Sequence, residues 1–256
     1  MKIYRHIAIL SAMPEEIGSI LNNLSDIKIS QYGDLTIKNG LWTDPNTKNK
    51  IYITTAWSGW GKVSAARAAT RIICLCEKIS MPIDLFIFTG VAGAINSDLK
   101  QWDIIIPNKV CQYDMDARPI FEKYAIPPLK KKYLKPNTYF HQWAFNCIKK
   151  NLKKEKLSKF GILSKGLIGT ADKFISSVEA RNLILKDLPE MQAVEMEGAS
   201  FAQIASQENI NWILIRVISD SASDAAAQSF NDFLKDYSKF SWKILEILLK
   251  NFKKQV

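Results

Sequence analysis

An α/β fold with a central mixed, mostly parallel β-sheet flanked by helices follows from three features of this 256-residue sequence. Short apolar runs that read as buried strands alternate with segments of helical character along the chain. No internal repeat, low-complexity stretch or linker interrupts them, and the length suits one large core, so residues 1–256 are expected to form a single domain. Charged or glycine-rich residues recur where the apolar runs end, the edge at which open α/β sheets bind ligands.

Taken in order, His6 to Met13 is a continuous apolar run and the expected first strand. Pro14 follows where a first-turn proline is tolerated, with Glu15 and Glu16 near the positive end of a helix to about Leu24. Ile27 to Ile37 and Ile51 to Trp57 read as strands, joined through polar Asp44 to Lys50, a surface hairpin tip. Ser58-Gly-Trp-Gly-Lys62 leads into an alanine-rich helix to about Lys78 and lacks the spacing of a phosphate-binding P-loop. Asp84 to Phe88 is a buried strand running into Thr89 to Ala94, a glycine loop where backbone can approach a ligand closely. Ile104 to Pro107 is another strand, and Gln112 to Lys135 has little periodicity, as functional irregular segments often do. A helix is expected over Tyr139 to Lys154, a strand over Phe160 to Ile168, a loop over Thr170 to Ser177 and a helix over Glu179 to Leu185. Met191 to Val194 is a buried strand that breaks into Glu195 and Glu197 before a tightly packed helix from Gly198 to Ala205. Trp212 to Ser219 is an apolar strand ending at Asp220, followed by an amphipathic helix from about Asn231 to Phe252.

Composition excludes several classes. Lys and Arg number 35 against 25 Asp and Glu, a net charge of +10. Much of the excess sits at Lys130, Lys131, Lys132 and Lys135, then at Lys149, Lys150, Lys153, Lys154, Lys156 and Lys159. No interleaved aromatics accompany these lysines, which reads as a solvated face and not as a nucleic-acid site. Cys74, Cys76, Cys111 and Cys147 have neither a disulfide framework nor metal-ligand spacing, and with only His6 and His141 a zinc site has few candidate donors. Reduced core thiols and no metal are expected. Lys2 and Arg5 precede an apolar run that meets Pro14, Glu15 and Glu16 without a cleavage-like segment. The longest uncharged stretch, Leu85 to Ser97, is too short to span a bilayer. A soluble cytoplasmic protein with no membrane partner is expected.

Glu16, the Thr89 to Ala94 segment, Phe174, Glu197 and Asp220 all lie at or just past the carboxyl end of an expected strand. A carboxylate in an apolar setting must be paired or used. The helix dipole alone would favour an acid such as Glu197 at a helix start, but it does not explain three carboxylates at one sheet edge. Splitting a sugar-to-base bond with water uses such a set. One carboxylate activates water, one protonates the leaving base, and one holds sugar hydroxyls while positive charge builds on the ring. The chemistry requires no metal, nucleotide cofactor or covalent nucleophile, and Phe174 offers a face on which a base could stack.

At these residues the sequence resembles a known family. SAMPEE at 11–16, TGVAGA at 89–94, ADKFI at 171–175, AVEMEGA at 193–199 and RVISDSA at 216–222 occur in the order found in bacterial 5'-methylthioadenosine/S-adenosylhomocysteine nucleosidases, of the nucleoside phosphorylase superfamily. The resemblance implies a mixed sheet flanked by helices, a homodimer, and an adenosine derivative as the small-molecule substrate. It implies that Glu16 activates the attacking water, that Asp220 donates a proton towards adenine N7, and that Glu197 and Met196 bind ribose, with Glu195 in a supporting polar role. Phe174 resembles the adenine-stacking aromatic, and the Ile175 backbone the group that reads the base edge. Met13, Trp60 and Phe230 match positions around the ribose and the 5'-alkylthio pocket. Val91 stands where the family usually has serine, and Trp60 where it has a smaller aliphatic residue. The segment 112–135 matches only through Gln112 to Ala117; in the family the equivalent loop helps close the 5' pocket across the dimer.

Competing expectations are a sister nucleosidase acting on a futalosine-type nucleoside, a nucleoside phosphorylase, and a non-catalytic nucleoside-sensing or nucleic-acid-binding module on the same fold. Related phosphorylases place arginine where this chain has Glu16, and another just before the glycine segment, where it has Phe88 and Thr89. A carboxylate repels phosphate and suits water activation, and a mere binder has little need of a water-activating carboxylate beside a general acid.

Overall fold

The computed structural model describes residues 5–153, 157–222 and 226–252, which leaves Lys2, Lys154 and Lys156 outside the described residues. The strands are β1 (Arg5–Ser11), β2 (Leu24–Tyr32), β3 (Leu35–Thr43), β4 (Lys50–Trp57), β5 (Leu85–Ala94), β6 (Ile104–Ile105), β7 (Lys109–Gln112), β8 (Leu163–Ser164), β9 (Leu167–Thr170), β10 (Met191–Glu195) and β11 (Trp212–Asp220). The helices are α1 (Lys62–Lys78), α2 (Thr138–Asn151), α3 (Val178–Asp187), α4 (Gly198–Gln207), α5 (Ala226–Tyr237) and α6 (Ser241–Asn251).

All these strands join one mixed sheet in the order β2-β3-β4-β1-β5-β10-β9-β7, with β11 pairing β5 and β6, and β8 pairing β6. Parallel pairings outnumber antiparallel ones, as the alternation of strands and helices predicts. The strand that positions the site is β5. Its first half pairs parallel with β1, from Leu85 opposite Ile7 to Phe88 opposite Leu10. On its other side β11 runs parallel to it, from Phe86 opposite Trp212 to Gly93 opposite Asp220. Beyond the end of β1, β10 takes β1's place, pairing antiparallel through Gly93 and Ala94. The sheet therefore forks where β1 stops, and a cleft opens at the fork.

Apolar side chains cover both faces. On one, the small residues Ala65, Ala68 and Ala69 of α1 and Ala199, Ala202 and Ala205 of α4 allow these helices to pack closely, α1 on β1 and β4 and α4 on β5 and β11. Phe201 is fully buried there, edge-on to Phe86 at 4.8 Å and Phe88 at 5.2 Å between ring centroids. On the other face α2, α5 and α6 cover Ile87, Ile213, Ile215 and Val217, with Tyr237, Leu245 and Leu248 fully buried. His6 is a buried structural histidine whose ring nitrogens lie 2.7 Å from the Met81 carbonyl oxygen and 2.8 Å from Thr54 Oγ1.

Several elements depart from the sequence expectation. The helix expected from Pro14 to Leu24 is two short 3₁₀ turns, Pro14–Glu16 and Ile20–Asn23. Between them Gly18 adopts φ +59°, and a β-carbon there would come within 2.5 Å of Ser241 Oγ, so the chain turns tightly against α6. The strand expected over Ile27 to Ile37 is split by a turn at Gly33, φ +65°, into β2 and β3. The Phe160 to Ile168 strand divides into β8 and β9 because the chain passes from pairing with β6 to pairing with β7 and β10. The final helix is two helices separated by a turn, α5 against β11 and α6 against α2. Thr89 to Ala94 is strand, not loop. Of the cysteines expected in the core, Cys76 and Cys111 are buried and Cys147 partly so, but Cys74 is exposed. Gln112 to Lys135 is largely irregular, as expected, after β7 ends at Gln112. No described helix is long and apolar enough to cross a membrane.

Phe201→Ala removes a fully buried ring from where α4 meets Phe86 and Phe88 of β5 and Trp212 of β11. It is expected to destabilise the fold by about 3–5 kcal/mol, read as a lower urea midpoint at unchanged m. A loss below about 1 kcal/mol would mean that α4 does not depend on this contact for its docking.

Candidate active site

The cleft at the fork opens to solvent at its mouth. Every site residue expected from the sequence lines it: Met13, Glu16, Trp60, Val91, Phe174, Ile175, Glu195, Met196, Glu197, Asp220 and Phe230.

Glu16 forms part of the floor. After β1 the chain turns through Ser11, whose hydroxyl donates to the Met13 carbonyl at 2.7 Å, and Pro14 opens the 3₁₀ turn that carries Glu16. Its Oε2 accepts from the backbone N–H groups of Ala12 at 2.8 Å and Met13 at 3.0 Å, and Oε1 from Val91 N–H at 2.9 Å. The carboxylate fills the space of a missing side chain: a β-carbon on Gly90 would lie 2.5 Å from Glu16 Oε1. Burial raises the Glu16 pKa above the usual carboxylate range, although Arg216 and the three N–H donors pull it down.

Arg216 had no assigned role in the sequence reading, and it proves to be the cation of the site. It projects from the middle of β11, is 1% exposed, and donates through Nη2 to Glu195 Oε2 at 2.6 Å. Its guanidinium lies over the Phe88 ring, 4.5 Å from the centroid. Nη1 comes within 3.1 Å of the point that a Gly90 β-carbon would occupy, the same point that Glu16 Oε1 approaches. The two groups are thus no more than two hydrogen-bond lengths apart, yet not in direct ion-pair contact. Burial opposes the charge on Arg216, but the surrounding Glu195, Glu16 and Glu197 outweigh it and its pKa is raised. The available signal was a lone arginine inside the apolar run Trp212 to Ser219.

The two acids of the 193–199 stretch have separate surroundings. Both Glu195 oxygens are taken by protein donors: Oε1 by the Thr170 hydroxyl, and Oε2 by Arg216, Gly198 N–H at 2.6 Å and Glu197 N–H at 3.2 Å. Glu197 is the N-cap residue of α4, yet its carboxylate makes no cap bond. Instead Oε1 accepts from Gly61 N–H at 2.8 Å, at the start of α1, where helix N–H groups favour an anion. Its Oε2 has no protein donor among the described residues. Burial, then the charge of Glu195, push the Glu197 pKa up to about 8.

At the end of β11, Asp220 Oδ2 accepts from the Ser219 hydroxyl at 2.7 Å and Oδ1 from Ala222 N–H at 2.9 Å. Burial raises its pKa as well, against these two bonds. Here too a glycine makes room: a β-carbon on Gly93 would lie 3.0 Å from Asp220 Oδ1. The mouth is aromatic. Phe230 meets Trp60 and Phe174 edge-on, each at 5.9 Å, and Trp60 is 52% and Phe174 37% exposed.

Residues 6–250 match the family model described as the Phosphorylase superfamily. The chain is 32% identical over 244 residues to the 5'-methylthioadenosine/S-adenosylhomocysteine nucleosidase of Staphylococcus haemolyticus, covering 95% of this chain and 99% of that protein. Among solved structures, S-adenosylhomocysteine nucleosidase from Streptococcus pyogenes, in complex with 5-methylthiotubericidin, superposes with a TM-score of 0.84 at 27% identity, covering 98% of this chain and 99% of that one. The futalosine hydrolase of Helicobacter pylori superposes with a TM-score of 0.82 at 26% identity, covering 97% and 98%. With nearly the whole length matched both to the superfamily and to a named relative above 30% identity, the chain belongs to the 5'-methylthioadenosine/S-adenosylhomocysteine nucleosidase family of the phosphorylase superfamily.

Proposed function

We propose that the cleft hydrolyses the N-glycosidic bond of 5'-methylthioadenosine, S-adenosylhomocysteine or both, releasing adenine and a 5-thio-substituted ribose. The observation that carries this reading is the convergence on one cleft of three buried acids, Glu16, Glu197 and Asp220, beneath an aromatic mouth, with a water bound at Glu16 as the nucleophile. Glu16 accepts a proton from that water as its oxygen bonds to C1' of the ribose. The C1'–N9 bond breaks, its electron pair passes to the base, and Asp220 delivers a proton to adenine N7. Burial suits both groups to these tasks, making Glu16 a stronger base than a free carboxylate and helping Asp220 to keep its proton. Glu197, with an oxygen free of protein donors, accepts hydrogen bonds from ribose hydroxyls beside Met196. Phe174 stacks on the adenine, and the Ile175 backbone reads its edge.

Water is favoured over phosphate as the nucleophile. Arg216 is already engaged by Glu195, and Glu16 and Glu197 surround the remaining space with carboxylates. Exposed apolar residues such as Val63, Ile120, Val178 and Leu183 offer surface for a second copy of the chain, in keeping with a homodimer. The reading also places the protein in the cytoplasm and needs no cofactor. Trp60 and Phe230 stand at the 5' end of the substrate, where the bulk of Trp60 favours a methylthio over a homocysteinyl tail.

Adenine release from a panel of 5'-substituted adenosines, with and without phosphate, tests the reaction; release that requires phosphate would overturn hydrolysis. In the same assay Glu16→Gln and Asp220→Asn should each lower turnover by about 10²- to 10⁴-fold with folding intact. Near wild-type rates in either variant would remove that residue from its role.

Tail preference is read from kcat/KM for the two substrates. Wild type should favour the methylthio compound, and Trp60→Ala should narrow the ratio; equal values for both substrates, unchanged in Trp60→Ala, would refute the steric role.

Glu197 predicts a pH dependence of stability. Folding holds its proton to about 8, whereas an unfolded carboxyl releases it near 4.5, so between these values the folded state binds more protons and stability falls as pH rises. Glu197→Gln removes this ionisation, and the substrate-free variant should lose less of its thermal midpoint than wild type over that interval. Parallel profiles would show that Glu197 titrates normally.

A further inference from the structure

We propose that Lys62, Asp114 and Asp172 form a clasp that joins three loops at the cleft mouth and positions both the aromatic rim and the donor to Glu197. The proposal rests on the nucleosidase reading for its functional consequence. None of the three residues touches the floor, and none has a place in the chemistry above.

The contacts close a ring. Lys62 Nζ pairs with Asp114 Oδ1 at 2.7 Å, Lys62 N–H donates to Asp172 Oδ1 at 2.7 Å, and Asp172 N–H donates to Asp114 Oδ2 at 3.2 Å. One loop leads from β4 into α1 and carries Trp60. The second, leaving β7, begins the irregular 112–135 segment. The third follows β9 and carries Phe174, two residues past Asp172. Trp60 and Phe174, the two aromatics that meet Phe230, therefore sit on loops tied together by one cluster.

The same ring governs Glu197. Gly61 lies between Trp60 and Lys62 at φ +92°, and a β-carbon there would lie 2.9 Å from Asp172 Oδ1. Its N–H is the donor to Glu197 Oε1. Consecutive N–H groups at the start of α1 thus serve two carboxylates, Gly61 for the ribose acid and Lys62 for the clasp. Fixing Lys62 fixes Gly61. As a partly exposed ion pair, Lys62–Asp114 adds little to global stability, so its consequence lies in where it holds the loops. The irregular segment then has a task within its own chain: Asp114 ties it to the rim.

Lys62→Met, Asp114→Ala and the double variant test the clasp through two measurements. The first, independent of turnover, is acrylamide quenching of Trp60, taken as the difference from the same variant carrying Trp60→Phe. It should rise in each single variant and no further in the double, with Lys62→Arg close to wild type. The second is kinetic. Each single variant should raise KM about 5- to 20-fold while kcat stays within about twofold, the double being no worse than the poorer single. Unchanged quenching in both singles, effects that multiply in the double, or raised quenching with unchanged KM would each overturn the clasp. Should the wild type release no adenine, the nucleosidase reading falls, and the quenching series alone decides whether the clasp exists.

Discussion

The ion pair between Arg216 and Glu195 is the interaction on which the site depends. Both side chains are almost fully buried, and removing one partner of such a pair strands a charge in the interior at a cost of about 3–5 kcal/mol. Here the pair also organises its surroundings. Glu195 accepts the N–H groups of Glu197 and Gly198 together with the Thr170 hydroxyl, whose oxygen accepts Ala199 N–H at 2.7 Å. The first turn of α4 is thereby pinned to the ends of β9 and β10, and Glu197 with it. On its other side Arg216 supplies the positive charge that limits the rise in the Glu16 and Glu197 pKa values. Two carboxylates with different surroundings can coexist in one small cleft because a third has been committed to holding the cation.

Bringing these groups together requires backbone that leaves room for them. Gly90 and Gly93 lie on β5 where Glu16 and Asp220 press against it, and a β-carbon at either position would meet a carboxylate oxygen. The approach differs from that of a glycine loop around a ligand, because the close neighbours are the chain's own acids. The fork in the sheet makes it possible. Where β1 ends, the chain turns inward to deliver Glu16, and β10 enters from the opposite direction to deliver Glu195 and Glu197. Asp220 arrives on β11, which stays paired with β5 as far as Gly93.

How much of this could be read from the sequence depended on the range of the cause. The alternation that predicts the sheet is local, and the long apolar runs at β1, β5, β10 and β11 fall where expected. Carboxylates at the ends of such runs conflict with burial, and that conflict marked Glu16, Glu197 and Asp220 before any geometry was known. Distant contacts decided what was missed. The Pro14 to Leu24 segment has helical composition, but Gly18 packs against Ser241 more than two hundred residues away in the chain. Thr89 to Ala94 looked like a loop because glycine weakens strands, and only the carboxylates lying over Gly90 and Gly93 explain glycine there. Arg216 was visible as an arginine in an apolar strand, yet its partner Glu195 lies twenty-one residues earlier and nothing local links them.

The charge balance of the cleft limits what can enter it. Glu16, Glu195 and Glu197 share one guanidinium, so the buried cluster carries more acid than base, and the mouth formed by Trp60, Phe174 and Phe230 is aromatic, with Lys173 exposed to solvent at its edge. An anion would gain little from a cation already engaged by Glu195 and would be repelled by whichever of the other two acids is ionised, in a poorly solvated space. A neutral ligand with an aromatic ring and several hydroxyls faces the opposite balance. Its ring covers apolar surface, its hydroxyl hydrogens find carboxylate acceptors, and each such bond offsets the desolvation that raises the acid's pKa. The same electrostatics therefore disfavour a phosphate nucleophile and favour a sugar, and they do so before any catalytic step begins.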